Sequence, residues 1–145
     1  LRRAPAQALA RLHTLAASSS LPDQERGRPR GAAATYRLRE ALGILDQGRP
    51  GLLAAAVLHA ELACGAPFAS ANGLVARAAE RLVLVGSGVD AKSLVVPEAG
   101  HLALRPAYES NLRAYDAGGR AGLQAWLLYC AEAYAAGAEA SPLRG

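Results

Sequence analysis

The chain has 145 residues and a formal net charge of +4, and 52% of its residues are hydrophobic although only 5% are aromatic. This apolar content excludes a disordered chain, and counts of 15 Gly and two Cys exclude a collagen-like or disulfide-based scaffold. One domain is expected at this length. With 35 alanines and few runs of Val, Ile or Thr, the composition favours helices over a sheet.

Positive charge is concentrated in the first part of the chain. Residues 1–50 hold nine arginines and four acidic residues, a net charge of +5, whereas residues 51–145 hold seven basic and eight acidic residues, a net charge of −1. A loop at residues 18–31, rich in turn formers and arginines, is expected to be flexible and basic. Arginines without interleaved aromatic residues are a weak indication of nucleic-acid binding, so no such partner is expected.

The longest apolar run, Gly51 to Leu58, is too short to span a bilayer.

Hydrophobic periodicity and Pro/Gly punctuation predict about seven helices. In chain order they lie at about residues 4–17, 32–47, 52–64 and 72–86, in a short segment between Asp90 and Pro97, and along the apolar stripes Tyr108–Tyr115 and Leu123–Tyr134. Residues 52–64 are apolar on nearly every side, which predicts a central buried helix. We therefore expect an all-α bundle that forms one domain over residues 1–145.

Two spacings suggest metal binding, and both are incomplete. His59–Glu61 matches the H-x-E of zinc deaminases, but that site also needs a P-C-x-x-C, which neither Cys64 nor Cys130 provides. Glu98 and His101 have Glu-x-x-His spacing, whereas di-iron bundles need two such pairs and two further Glu residues. We therefore predict no metal site, a hydrogen-bonded core histidine at position 59, and two buried thiols.

A glycine-rich segment follows the fourth predicted helix. Residues 82–85 (LVLV) precede Gly86–Ala91, which mimics the dinucleotide fingerprint G-x-G-x-x-G/A. The fingerprint requires a strand before the glycines, yet residues 77–84 continue a helical pattern. A helix ended by glycine is the better interpretation, and dinucleotide binding through Gly86–Ala91 stays an alternative hypothesis.

The most informative stretch runs from Leu58 to Leu82. A buried helix is followed by a Pro-Phe turn and a loop of small residues, and then Asn72 and Gly73 begin a helix whose second turn carries Arg77. Free N–H groups at a helix start favour an anion, and an arginine adds a bidentate grip on phosphate. Asn72, Gly73 and Arg77 are therefore the candidate ligand-binding residues. A tight interhelical turn, with Arg77 paired to a surface acid, explains the pattern equally well.

This stretch resembles the Fic (Fido) domain family, whose signature reads HPF-x-D/E-G-N-G-R-x-x-R after a helix that contains a histidine. The matching positions are His59 and Ala60 in the preceding helix, Pro67 and Phe68, Asn72 and Gly73, and Arg77. Residues 95–101 and the alanine-rich tail also look similar to Fic-like proteins of high-GC bacteria. The resemblance implies an all-helical Fic-like fold and an ancestral transfer of AMP to protein hydroxyls.

Four positions depart from the signature. Ala66 replaces the catalytic histidine that acts as general base, and Ser70 replaces the acidic residue that holds magnesium. Ala71 replaces a glycine, and Leu74 replaces the first arginine. No catalytic residue can be assigned, because the position of the family's catalytic histidine holds a methyl group. His13 and His101 are the histidines that could replace it, although their spacing gives no reason to expect this.

The resemblance and its departures predict a catalytically degenerate Fic-like protein, a bacterial pseudoenzyme that serves as a binding or scaffolding module. It retains an anion or nucleotide pocket, with weak binding of ATP or another nucleotide and no other cofactor. Residual transfer of AMP or a phosphoryl group to protein hydroxyls is the alternative function. The expected partner is a protein, with a homodimer as one arrangement, and the expected location is the cytoplasm. Because the sequence begins with Leu1, we expect a piece of a longer or trimmed chain.

Overall fold

The computed structural model describes residues 3–143, which form one all-helical domain. Its helices are α1 (Pro5–Ala16), α2 (Ala32–Leu42), α3 (Gly51–Gly65), α4 (Asn72–Gly86), α5 (Pro97–Ala103), α6 (Arg105–Asp116) and α7 (Gly119–Glu139). The predicted all-α fold and the number of helices are confirmed for these residues. The fifth helix was predicted in the wrong place: the segment between Asp90 and Pro97 is a turn that the Asp90 carboxylate holds, and α5 begins at Pro97, because proline is compatible with the first turn of a helix. None of the helices combines the length and the apolar character that crossing a membrane requires.

Helices α3 and α4 form the centre of the domain, and the central position of α3 confirms the prediction for residues 52–64. Helix α3 is buried along most of its length, at Ala54–Ala56, Leu58–Ala60 and Leu62, because nearly all of its side chains are apolar. Helix α4 turns one face towards it, and α7 packs against α5 and α6 on the other side. Trp126 of α7 is fully buried between these layers.

The second predicted helix is shorter than expected. It ends at Leu42 and continues as a 3₁₀ turn over Gly43–Asp46, instead of running as α-helix to Gln47. Glycine has a low helix propensity, and the tighter turn that begins there packs Ile44 and Leu45 against the core. Gly48 then ends the segment with a φ of 62°.

The basic loop at residues 18–31 is attached to the rest of the domain. Arg26 donates hydrogen bonds to two carbonyls within the loop, at 2.6 and 2.8 Å. Arg30 donates from its backbone N–H to the carbonyl of Pro67 and from its guanidinium to the carbonyl of Ala66, both at 2.8 Å. The loop therefore covers the Pro-Phe turn, and its expected flexibility stays a prediction.

Helices α5 and α7 approach each other closely at two glycines. A Cβ atom added at Gly100 would lie 1.9 Å from the carbonyl oxygen of Ala133, and one added at Gly137 would lie 2.5 Å from that of Val96. The backbone N–H of Val96 also donates to the carbonyl of Gly137 at 3.2 Å. Backbone contact, which only glycine permits here, therefore fixes the position of α5 on α7.

Candidate functional site

The turn between α3 and α4 is held by its own side chains. Phe68 is buried and stacks on the ring of His13, with ring centroids 4.3 Å apart. The Asn72 amide accepts a hydrogen bond from the backbone N–H of Phe68 and donates one to its carbonyl, both at 2.9 Å. The predicted ligand-binding side chain of Asn72 is thus occupied in fixing the turn.

Ala71 precedes α4 in a left-handed backbone conformation, with φ 56° and ψ 16°. The Fic-like signature has a glycine at this position. A left-handed conformation costs an L-residue about 1–2 kcal/mol, whereas glycine adopts it without a Cβ clash. The local backbone therefore has a conformation that suits the glycine of that signature better than alanine.

Replacing Ala71 by glycine is expected to raise the free energy of unfolding by about 0.5–1 kcal/mol, because relief of the left-handed strain exceeds the added entropy of the unfolded chain. Urea denaturation followed by circular dichroism measures the change. Ala69→Gly is the matched control: Ala69 is exposed and has no positive φ, so this substitution should destabilise the protein. Equal effects of the two substitutions would contradict the prediction.

Arg77 reaches a pocket that Asn72 and Gly73 do not line. A Cβ added at Gly73 would lie 3.3 Å from Nη1 of Arg77, so the guanidinium extends past the first turn of α4. It lies near the hydroxyl of Tyr108. Burial raises the pKa of Tyr108, and the positive charge of Arg77 opposes this effect. Of the three predicted binding residues, Arg77 lines this pocket, and Asn72 and Gly73 do not.

This pocket has a volume of about 420 Å³ and lies between α4, α5 and α6. It is lined by Arg77, Glu98, His101, Leu102, Arg105, Tyr108 and Glu109. Glu98 pairs with Arg81 at 3.3 Å, and Glu109 pairs with Arg105 at 3.1 Å. Arg77 is half-buried and forms no salt bridge with any residue from 3 to 143. Among the described charged residues that line the pocket, Arg77 is therefore the one that no salt bridge pairs.

Behind the pocket lies a buried polar cluster, formed by His59 of α3, Glu80 of α4 and His101 of α5. All three side chains are inside the protein, with exposures of 0%, 0% and 4%. Oε2 of Glu80 lies 2.9 Å from Nδ1 of His59 and 2.9 Å from Nε2 of His101. One carboxylate oxygen is thus shared by two imidazole rings from two other helices.

Each member of the cluster also meets a tyrosine. The hydroxyl of Tyr134 donates to Oε1 of Glu80 at 2.7 Å. The hydroxyl of Tyr129 lies 2.7 Å from Nδ1 of His101, and that of Tyr108 lies 3.2 Å from Nε2 of His59. His59 was predicted to be a hydrogen-bonded core histidine, and this is confirmed.

Glu80 is ionised in this environment. Burial alone would raise the pKa of its carboxyl group, but the neighbouring His59 and the hydrogen bond with His101 lower the pKa to about 2. The cluster therefore contains a buried negative charge that two imidazoles stabilise.

Glu80 was not among the residues predicted from the sequence, although its position carries a signal. It falls on the same stripe of α4 as Ala76, Ala79 and Val83, which are all buried, so a charged residue interrupts an otherwise apolar face. The pair that the sequence did suggest, Glu98 and His101, separates in the structure: His101 is buried, while the Glu98 side chain is 37% exposed and binds Arg81.

Two other candidates lack the context that they require. Helix α4 runs through Val85 to Gly86, so no strand precedes Gly86–Ala91, and the dinucleotide hypothesis loses the strand on which it depends. The thiols are poorly suited to act as nucleophiles at neutral pH, because burial raises the pKa of Cys64 to about 11 and raises that of Cys130 further.

Comparisons of the chain with protein-family models, curated proteins and solved structures give no significant match.

Proposed function

We propose that this chain is a degenerate Fic-like protein that acts as a binding module for a small anion. The observation that carries the proposal is the guanidinium of Arg77 in a pocket of about 420 Å³, where it forms no salt bridge with a carboxylate of residues 3–143. Arginine binds carboxylate and phosphate groups through two parallel hydrogen bonds, and a half-buried setting strengthens them.

The balance of charge in the pocket favours a ligand with few negative charges. Because Glu98 and Glu109 are paired with Arg81 and Arg105, Arg77 is the cation of the described lining that remains free for a ligand. The ionised carboxylate of Glu80 behind the pocket opposes a ligand with many negative charges. A carboxylate or a phosphate monoester fits this balance better than a triphosphate does. ATP and other nucleotides are therefore expected to bind weakly.

Binding is favoured over transfer by the residues that replace the signature. Ala66 cannot accept a proton, Ser70 is a poor magnesium ligand and Leu74 has no positive charge. The alternative, residual transfer of AMP to a protein hydroxyl, would need another base. His101 is the histidine that lines the pocket, whereas His13 is fully buried beneath Phe68. Labelling of a cell lysate with radiolabelled ATP, compared with Ala66→His protein, separates transfer from binding.

The resemblance to the Fic family also supports a proposal for the location, source and partner of the protein. We propose a cytoplasmic bacterial protein that presents its ligand-bound surface to a protein partner or to a second copy of itself.

Binding is tested by isothermal titration with inorganic phosphate, AMP, and ATP with or without Mg²⁺. We expect one site per chain, with AMP and phosphate binding more tightly than ATP. Arg77→Ala should weaken binding about 10- to 100-fold, since a hydrogen-bonded charged contact contributes about 1.5–3 kcal/mol. Arg39→Ala is the matched control, because Arg39 is an exposed arginine of α2 far from the pocket in the chain. The absence of anion binding, or unchanged binding by Arg77→Ala, would contradict the proposal.

A further inference from the structure

We propose that His59, Glu80 and His101 form a binding site for one divalent first-row transition-metal ion, such as Zn²⁺, Fe²⁺ or Co²⁺. The three residues come from three different helices, so the fold itself brings them together. The inference goes beyond anion binding and does not depend on it, because it uses none of Asn72, Gly73 and Arg77.

The distances within the cluster suit coordination. Adjacent ligand atoms that are each about 2.1 Å from one ion lie about 3.0 Å apart in octahedral geometry and about 3.4 Å apart in tetrahedral geometry. Oε2 of Glu80 is 2.9 Å from the facing nitrogen of each histidine, and all three atoms lie within 4.8 Å of one another. A single ion can therefore be reached by one atom of each residue with small shifts of the side chains.

The nitrogen Nδ1 of His59 has no hydrogen-bond partner among the described residues. It is fully buried and only 2.9 Å from Oε2 of Glu80, yet the alignment does not make a hydrogen bond. The carboxylate oxygen already has His101 as its hydrogen-bond partner. A buried polar atom without a partner is unfavourable, and an ion between the nitrogen and the carboxylate would satisfy it.

The surrounding tyrosines support the same arrangement. In metal sites, the atom of a ligand that faces away from the ion is held by a further hydrogen bond, which orients the ligand. Here each outward atom lies within hydrogen-bond distance of a tyrosine hydroxyl. The pairs are Glu80 with Tyr134, His101 with Tyr129, and His59 with Tyr108. The inward atoms are the three that converge.

The donor set selects the kind of ion. Two imidazoles and one carboxylate suit zinc, iron or cobalt, whereas Ca²⁺ and Mg²⁺ prefer a set of oxygen ligands. Three protein ligands leave coordination positions for water or a small molecule. Because His101 also lines the pocket, an ion can enter from that side.

The test uses the chain freed of any affinity tag, treated with a chelator and dialysed. Zn²⁺ and Co²⁺ are titrated separately by calorimetry, Fe²⁺ is titrated under anaerobic conditions, and the Co²⁺ protein is examined by absorption spectroscopy. We expect one ion per chain and cobalt d–d bands of nitrogen and oxygen ligation, without a thiolate charge-transfer band from Cys64 or Cys130.

Variants then assign the ligands. Glu80→Gln keeps the shape of the side chain and should weaken binding by about 100-fold or more, because it removes a ligand charge. Tyr129→Phe leaves the ligands and the ring in place, and the loss of its hydroxyl should weaken binding about 10- to 100-fold. His13→Gln is the matched control, since His13 is a buried histidine outside the cluster and should leave binding unchanged.

The wild-type titration and the cobalt spectrum decide the matter even if Glu80→Gln fails to fold. The proposal is overturned if the wild type binds none of the three ions stoichiometrically. It is equally overturned if the cobalt spectrum shows thiolate ligation, or if Glu80→Gln and Tyr129→Phe fold and bind as tightly as the wild type. The cluster would then be a hydrogen-bonded core and nothing more.

Discussion

Replacing Glu80 by alanine is expected to lower the free energy of unfolding by about 3–5 kcal/mol. The substitution removes the carboxylate that His101 and Tyr134 both bind, and it leaves Nε2 of His101 and the hydroxyl of Tyr134 buried without this partner. Such groups lose their hydration on folding and gain nothing in exchange. Urea denaturation of the metal-free protein, followed by circular dichroism, measures the loss.

Two further variants separate charge from packing at this position. Glu80→Gln preserves the shape and one acceptor, so it should cost less than Glu80→Ala. Glu132→Ala, an exposed position on α7, should change the stability by less than about 0.5 kcal/mol. If Glu80→Ala were as stable as the wild type, the cluster would not be the buried network that the distances indicate.

Replacing Trp126 by alanine is expected to cost about 3–5 kcal/mol as well, for a different reason. Its ring is fully buried, lies 5.4 Å from the ring of His59 and 5.3 Å from that of Tyr129, and donates a hydrogen bond to the carbonyl of Ala56 at 2.8 Å. Alanine would leave a large cavity between α3 and α7. Circular dichroism is the suitable probe, because Trp126 is the only tryptophan and its fluorescence disappears in the variant.

Conservative and distant substitutions define the controls for Trp126. Trp126→Phe retains an aromatic ring but loses the N–H donor, so a smaller loss of about 1–3 kcal/mol is expected. Tyr36→Ala removes an aromatic side chain that is 65% exposed and should have little effect. A loss for Trp126→Ala no larger than that for Tyr36→Ala would show that the ring does not pack as described.

Most helices were predictable because their ends carry residues with strong backbone preferences. Pro5 lies in the first turn of α1, and Gly48 and Gly118 have positive φ angles where helical segments end or begin. Helix α5 was misplaced, because Pro97 was predicted to limit the preceding segment, whereas it is the first residue of the helix. The 3₁₀ turn that follows α2 was missed, because its sequence continues a helical pattern and only the packing of Ile44 and Leu45 determines its shape.

The candidate site was predictable only in part. Arg77 follows from the spacing after the Asn-Gly pair, and the structure places it in a pocket. The cluster behind that pocket is formed by three residues on separate helices. Two of them, Glu80 and His101, are 21 positions apart in the sequence. Local patterns cannot report which helix faces meet. Glu80 on an apolar stripe signals burial, but its partners are fixed by the tertiary fold.

The glycine contacts between α5 and α7 have a consequence for local unfolding. His101 follows Gly100 directly, and Tyr129 lies one turn before Ala133, the residue that Gly100 touches. The register of two backbones, more than the packing of side chains, therefore sets the distance between the ring and the hydroxyl. Segments joined in this way open together as one cooperative unit. Slow exchange of amide protons along the contacting turns of α5 and α7 would be its signature.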